Sequence, residues 1–255
     1  MQRTSVRKES DRAETRPADE SLVRNEILNS IPESEFNLIR PELEPVELPQ
    51  RLILHEPGER ILYAYFLNQG LASLVVITSD GRSVEIAIVG HEGLVGTPLA
   101  VGLHRGPYRS IMQIPGNGFR IKAESLEQVL HETPQLRLLL NQYVLTQGLQ
   151  IAQIAACNRL HEIEQRLARW LLMGQDRVES DALPITHEFL AQMLGTGRPS
   201  VSLAAGILQK NGIIENSRGA VKILDRAALE ASACECYRAI QQFNRSFNNR
   251  PSTTA

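Results

Sequence analysis

The chain is poor in cysteine, carries little net charge and has no long hydrophobic run, and each shortage excludes a class of protein. Three cysteines in 255 residues are too few for the disulfide framework of a small secreted domain. Because the formal net charge is −2 at pH 7, any affinity for nucleic acid must come from a local patch. No apolar run is long enough to span a bilayer, and Met1–Glu20 does not read as a signal peptide. We therefore expect a cytoplasmic protein with no membrane partner.

Motifs that carry enzyme chemistry are also missing. The sequence contains no Walker loop, no nucleophile motif with an oriented base, and no spacing typical of metal ligands. The carboxylates Glu162 and Glu164 are explained by a solvated helix edge. We therefore predict that the protein is not an enzyme and carries neither a metal nor another cofactor.

The three cysteines, Cys157, Cys234 and Cys236, have two interpretations. They are small apolar packing residues, or Cys157, at a predicted hinge, responds to oxidation. Since residues two apart on a helix face different directions, Cys234 and Cys236 are not expected to share one metal ion.

Composition divides the chain into five segments. A chain of this length fits two modest domains better than one. Residues 1–21 are charged and poor in apolar side chains, which is typical of a disordered tail. Short β-like runs between Val46 and Ile121 alternate with turn signals, which predicts an antiparallel sandwich or roll within a first domain at 22–133. A long helix at 134–157 ends at a break near Asn158-Arg159 and leads to a second domain at 158–229. A single helix over Arg226–Phe247 would then overlap its end and form most of the C-terminal segment, 230–255.

The long helix carries two apolar stripes, and two stripes need two partners. The second stripe, through Leu139, Leu145, Leu149 and Ala152, is expected to cover the β-rich domain. The first stripe follows coiled-coil-like steps of three and four residues and predicts a homodimer seam with one polar member: Leu136, Leu140, Val144, Gln147, Ile151 and Ile154. The alternative is a helix packed wholly inside its own domain.

The segment Ile185–Leu224 predicts a winged helix-turn-helix. Thr186 can cap a first helix, which Gly195-Thr196-Gly197 then ends. Arg198 opens a second helix with proline in its first turn, where the missing N–H costs nothing. Two short strands around the turn Asn216–Gly219 complete the pattern.

The chemistry of this segment favours double-stranded DNA. A helix N-terminus bearing Arg198, Ser200 and Ser202 offers a dipole, hydroxyls and a guanidinium to phosphates or base edges. The alternatives are a winged helix that contacts only proteins, or a plain helical hairpin. From Thr196 to Arg226 the net charge is +3, from Arg198, Lys210, Arg218, Lys222 and Arg226 against Glu215 and Asp225.

The order of these parts resembles the Crp/Fnr family of bacterial transcription regulators over roughly Glu42–Leu229. In the first domain the resemblance rests on Glu56-Pro57-Gly58-Glu59, on Tyr65-Phe66 followed by Gly70, and on Gly90–Gly96. In the second it rests on Arg166–Leu172, Ile185–Ala191 and Gly195–Ile214. The implied fold class is α+β: an N-terminal antiparallel, jelly-roll-like β-roll similar to cyclic-nucleotide-binding domains, a long dimerisation helix and a C-terminal winged helix-turn-helix.

The resemblance also implies which residues touch DNA. Arg198, Ser200 and Leu203 would face the groove, and His187, Ser202 and Arg218 would lie near phosphates. Leu203 stands where members often carry a second base-reading arginine, so the usual half-site preference is not expected. The full set of predicted DNA contacts is Thr186, His187, Arg198, Ser200, Ser202, Leu203 and Arg218.

The predicted effector pocket departs from that of the cyclic-nucleotide binders. Those members follow the glycine loop with a glutamate for the ribose, whereas here Gly96 is followed by Thr97. Arg109-Ser110 keeps the arginine–hydroxyl pair that can clamp an anion. Gly96, Thr97, Arg109 and Ser110 thus form a candidate pocket for an unidentified small effector, and cAMP is not expected to be that effector.

Two cofactors of the family are not expected either. The N-terminal cysteine cluster of the oxygen-sensing branch is missing, since the first cysteine is Cys157, so no iron–sulfur cluster is predicted. His55, His91 and His104 are expected to be solvated or hydrogen-bonded rather than haem or metal ligands.

Together these features predict a homodimeric transcription regulator whose partners are double-stranded DNA, a second copy and RNA polymerase. The dimer would read a two-fold symmetric site with half-sites about 34 Å apart. Whether it activates or represses stays open. The alternative is a small-molecule-sensing protein-interaction module whose winged helix does not bind DNA.

Overall fold

The structure, a computed structural model, describes residues 23–248. The tail predicted at 1–21 and the last residues of the chain lie outside the described residues. Two short helices, α1 (Glu26–Asn29) and α2 (Glu33–Ile39), and a 3-10 turn (Arg40–Glu42) precede the first strand. The carboxylate of Glu35 in α2 accepts the backbone N–H groups of Gln135 and Leu136 at 3.0 and 2.9 Å. It thereby caps the long helix that begins there, where unpaired N–H groups and the helix dipole favour an anion.

Eight strands form the β-roll as two antiparallel four-stranded sheets, which confirms the predicted architecture. One sheet has the order β1 (Glu44–Leu48), β8 (Gly116–Lys122), β3 (Tyr63–Leu67) and β6 (Leu94–Val95). The other has the order β2 (Ile53–His55), β7 (Arg109–Ile114), β4 (Leu71–Ile77) and β5 (Ser83–Val89). A 3-10 helix, Thr97–Val101, follows Gly96, whose φ of 104° is open to glycine but strained for other residues. Between the sheets lies an apolar core that includes Phe66, Leu74, Leu94 and Met112.

Two helices follow the roll, α3 (Ala123–Glu132) and α4 (Pro134–Leu160). The break predicted at Asn158-Arg159 is wrong, because the helix continues through both residues and ends at Leu160. Neither residue removes a backbone donor, so nothing local stops the helix before His161 turns extended.

The stripe of α4 predicted as a dimer seam packs on the protein's own β-roll and second domain, so that prediction is wrong. Leu136, Leu140, Gln147 and Ile154 are buried within the single chain, and Val144 and Ile151 pack against the same core. The second stripe, expected to cover the roll, instead exposes Leu145 by 66% and Leu149 by 40%. Both stripes have helical spacing, so periodicity does not tell which of them meets the roll.

The second domain is a winged helix-turn-helix, as predicted. Its helices are α5 (Ile163–Val178), α6 (His187–Met193), α7 (Arg198–Lys210) and α8 (Arg226–Ser232). A three-stranded sheet has the order β10 (Ile214–Ser217), β11 (Ala220–Ile223) and β9 (Ala182–Leu183). The strand at β9, which anchors the wing to the domain, was not predicted.

The C-terminal segment is not the single helix predicted over Arg226–Phe247. Helix α8 ends at Ser232, Ala233 is extended with ψ of 153°, and α9 (Cys236–Asn248) then packs along α4. After the break, the side chains of Tyr237 and Ile240 join the core of the second domain. No helix in the described part of the chain is long and apolar enough to cross a membrane.

Candidate nucleic-acid interface

The candidate DNA interface is the exposed side of α7 and the adjoining wing. The Thr186 hydroxyl caps α6 by accepting the Phe189 N–H at 3.2 Å, as predicted. Gly195, with φ of 59°, turns the chain between the two helices. Helix α7 then buries Val201, Ala204, Ala205 and Leu208. The opposite side of the helix consequently faces solvent.

This exposed side combines a cation, hydroxyls and apolar side chains. Arg198 lies in the first turn, where unpaired backbone N–H groups favour an anion. Further along, Leu203 is 69% exposed and Ile207, one turn later, is 38% exposed. Large apolar side chains left in solvent at this place are suited to the methyl groups of thymine in the major groove.

A hydrogen-bond network fixes α6, α7 and the wing as one unit. His187 Nδ1 lies 3.1 Å from Ser202 Oγ, and His187 Nε2 lies 3.1 Å from Asn216 Oδ1. Asn216 in turn donates its backbone N–H and its Nδ2–H to Gln209 Oε1, at 2.9 and 2.8 Å. Because Asn216 Oδ1 can only accept, a neutral His187 ring carries its proton on Nε2 and accepts from Ser202.

Two members of this network, Gln209 and Asn216, were missed from the sequence. Asn216 was assigned to the wing turn, where an asparagine is common, and that signal concealed its place in β10. The predicted contacts His187 and Ser202 are brought together, while Arg218 sits in the turn between β10 and β11.

One predicted cation is not available at the interface. The Arg226 guanidinium bonds Asp176 Oδ1 at 2.7 Å and Glu230 Oε1 at 3.0 Å, and also donates to the Tyr237 hydroxyl. The net charge of +3 predicted for Thr196–Arg226 therefore counts one cation, Arg226, that is not available to DNA. Arg198, Lys210, Arg218 and Lys222 remain as exposed cations of this surface.

Comparison with known proteins agrees with this geometry. A family model described as a Crp-like helix-turn-helix domain matches residues 165–232. The Global nitrogen regulator of Synechocystis is 24% identical over 83% of this chain and 97% of its own length. The transcriptional regulator LdrP of Thermus thermophilus is 25% identical over 69% of this chain and 90% of its own length. Residues 165–232 are therefore a Crp-like helix-turn-helix domain, and over most of its length the chain is similar to DNA-binding transcription regulators.

Solved structures share the fold of this chain. FixK2 from Bradyrhizobium japonicum superposes with a TM-score of 0.66 and 16% identity, over 75% of this chain and 98% of its own. A CRP-family transcriptional regulator from Thermus thermophilus superposes with a TM-score of 0.60 and 23% identity, over 74% and 96%.

In the β-roll, the predicted effector residues already have partners or are buried. The Arg109 guanidinium makes two bonds of 2.9 Å to the Glu56 carboxylate. Thr97, which follows Gly96, is buried and donates to Gln147 Oε1 on α4 at 2.8 Å. The Ser110 hydroxyl is fully buried and has no hydrogen-bond partner within residues 23–248.

A pocket of about 260 Å³ lies beside these residues. It is lined by β2, β3 and the loop between them, including His55, Glu56, Arg60 and Tyr65. Burial lowers the pKa of His55, so its ring, held by the Tyr63 carbonyl oxygen at 2.8 Å, stays neutral at pH 7. Sequence reasoning missed Glu56 as the partner of Arg109, although it had singled out the turn that contains Glu56.

The winged domain docks on the β-roll through buried polar contacts. Trp170 Nε1–H donates to Glu85 Oε1 at 2.7 Å, and Arg177 Nε bonds Glu92 Oε1 at 2.7 Å with both side chains at most 15% exposed. Burial raises the pKa of Glu85 to about 7, against the hydrogen bonds from Ser73 and Trp170. The hydrogen bond from His91 to Glu26 raises the pKa of His91 to about 9. The contact between the two domains therefore contains buried ionisable groups, among them Glu85, Glu92 and Arg177.

Proposed function

We propose that this protein binds a two-fold symmetric DNA site as a homodimer and is modulated by a signal received at its β-roll. The observation that carries the proposal is the exposed side of α7, which presents Arg198, Leu203 and Ile207 beside the cations of the wing. In this proposal α7 enters the major groove and the wing cations meet phosphates. The predicted contacts Thr186, Ser200 and Ser202 would add contacts to DNA near the starts of α6 and α7.

The solvent-facing stripe of α4 that runs from Leu138 to Ala156 supports the proposed dimer. Its members follow steps of four and three residues, the spacing of a coiled-coil seam. Toward the end of the helix the members are small, and neighbouring Gly148 is also exposed, so two backbones can approach closely. The proposed seam replaces the one predicted from sequence and consists of the exposed residues Leu138, Leu145, Leu149, Ala152 and Ala156 and the partly buried Gln142.

The contacts of Arg109 bear on the effector. Because the Glu56 carboxylate accepts from Nε and Nη2 of the Arg109 guanidinium, an anionic effector would approach a cation that is already paired with a carboxylate. This supports the expectation that cAMP is not the effector. We also propose that the protein acts on RNA polymerase and that it is located in the cytoplasm.

The test is selection of binding sites from random double-stranded DNA by the purified full chain, read by sequencing. We expect enrichment of a two-fold symmetric motif with half-sites about 34 Å apart. Enrichment of an asymmetric single half-site would contradict the homodimer. A lack of any enrichment, repeated with cell extract as a source of effector, would contradict DNA reading and favour the protein-interaction module.

A further inference from the structure

The three cysteines of the chain and His161 converge where α4 ends. Cys157 Sγ lies 3.5 Å from Cys234 Sγ, and Cys236 Sγ lies 3.5 Å from His161 Nδ1. The four potential ligand atoms all lie within 4.8 Å of one another. The three cysteines are buried and His161 is partly exposed, so the group has one side open to solvent.

The unexpected break between α8 and α9 creates this convergence. Cys157 lies in the last turn of α4, and His161 follows four residues later at the end of that helix. Cys234 precedes α9 and Cys236 is its first residue, so the two do not lie on one continuous helix. The reason for which Cys234 and Cys236 were not expected to share one metal ion, that both lie on one helix, is therefore wrong.

We propose that Cys157, His161, Cys234 and Cys236 bind one thiophilic divalent cation, for which zinc is the best fit. Zinc bonds to thiolate sulfur at about 2.3 Å and to imidazole nitrogen at about 2.0 Å, so the edges of its ligand tetrahedron are roughly 3.5–3.8 Å. Two of the observed separations equal 3.5 Å, and none exceeds 4.8 Å. A four-iron cluster, which attaches each ligand to a different iron, needs wider separations.

The surroundings of the four ligands fit a metal centre. His161 Nε2 bonds Glu235 Oε1 at 3.1 Å, which leaves Nδ1 facing the sulfurs. A carboxylate on the far nitrogen of a ligating histidine is a usual feature of zinc sites, since it orients the ring and raises its basicity.

A buried cation beside the cluster points to an anionic centre. Arg169 is 2% exposed, and its Nε has no hydrogen-bond partner in the described part of the chain. It interacts electrostatically with Cys157 and also with buried Glu85. Three thiolates, a neutral histidine and a divalent cation carry a net charge of −1, which would offset the burial of that guanidinium.

The position of the site gives it a structural consequence. It would join the end of α4 to the segment before α9, next to the joint at which α5 and the DNA-binding domain begin. A bound ion would hold α9 against α4 and fix that joint. Removal of the ion should therefore loosen the α4–α5 joint while leaving the β-roll folded.

The test uses the full chain, purified under reducing conditions and freed of metal, and titrated with zinc against a chromophoric chelator. We expect one zinc ion per chain, and replacement by cobalt should produce the absorption of a tetrahedral thiolate site. Cys234→Ser and His161→Asn should each weaken zinc binding at least tenfold. His131→Asn, which alters an exposed histidine on α3, is the matched control and should bind as the unaltered chain does.

A milder variant guards against loss of folding. Glu235→Gln keeps all four ligands and changes an exposed residue, and we expect about tenfold weaker binding because the orientation of His161 is lost. Circular dichroism of each variant reports whether it is folded. Absence of zinc binding by the folded, reduced chain would overturn the proposal. So would equal binding by the unaltered chain and Cys234→Ser, or a Cys157–Cys234 disulfide that persists under reducing conditions.

Discussion

At the scale of single residues, the neighbours of a side chain decide which role it has. Arg198 and Arg226 look alike in the sequence, and both lie at the start of a helix that follows a turn. Arg226 is held by Asp176 and Glu230, whereas Arg198 is exposed and makes no ion pair within residues 23–248. An arginine bound to carboxylates inside the protein contributes to packing, and an exposed one is available to DNA.

Replacing Arg198 by alanine should weaken binding to the selected operator by about 1–3 kcal/mol, since a base-edge or phosphate contact of α7 is lost. Fluorescence anisotropy with operator and random duplexes measures the effect. Arg40→Ala removes an exposed arginine from the β-roll side and serves as the control, with no expected change. Undiminished discrimination between operator and random DNA would contradict the role of Arg198.

Glu85 should make stability depend on pH. Its pKa is raised from 4.5 to about 7 in the folded protein, so between these values the folded chain binds more protons than the unfolded chain. The free energy of unfolding therefore falls as pH rises through this range, by up to about 3 kcal/mol from this group.

The measurement is denaturant unfolding between pH 5 and pH 8. Glu85→Gln cannot ionise and should flatten the decline in stability. Glu47→Gln, on an exposed position of β1, should leave the profile unchanged. Identical profiles for Glu85→Gln and the unaltered chain would show that Glu85 does not control this pH dependence.

At the scale of elements, α4 illustrates how periodicity can mislead. The helix itself, its start at Pro134 and its apolar character were predicted, because proline at the first turn and three- and four-residue spacing are local signals. Which stripe meets the roll depends on where β5 and the 3-10 helix Thr97–Val101 lie in space. The hydrogen bond from Thr97 to Gln147 shows the outcome, since Gln147, the polar member of the predicted dimer seam, accepts a hydrogen bond from its own chain.

Leu145→Glu should dissociate the dimer, because two carboxylates would be buried facing each other at the proposed seam. We expect the dimer dissociation constant to rise at least tenfold, as measured by sedimentation. Leu38→Glu, which charges an exposed leucine of α2, is the matched control and should leave the dimer intact. A dimer equally stable in both variants would exclude this stripe as the seam.

At the scale of the whole molecule, a nearly neutral protein must bind a polyanion through a small part of its surface. The net charge is −2, yet the exposed side of α7 and the wing carry Arg198, Lys210, Arg218 and Lys222. Phosphate contacts made by such a surface release counterions, so the affinity for DNA should fall steeply as salt increases.

Arg218→Ala should reduce the slope of log affinity against log salt by about 1 per protomer, because one phosphate contact is lost. It should weaken operator and random duplexes alike, in contrast to Arg198→Ala. Anisotropy titrations at four salt concentrations measure both effects, again with Arg40→Ala as the control. An unchanged slope would remove Arg218 from the phosphate-contacting surface.

Apart from β9 and the break before α9, the elements, their order and the winged helix-turn-helix follow from the sequence, because turns, caps and apolar spacing act over a few residues. Which face of α4 is covered, the pairing of Glu56 with Arg109 and the hydrogen bond between Asn216 and His187 follow from the packing of distant segments. The same packing brings residues 77 positions apart, Cys157 and Cys234, to 3.5 Å from each other. These pairings depend on how α8 and α9 pack against α4 and on how the sheets align. Contacts between distant parts of the chain leave no periodic trace in its sequence.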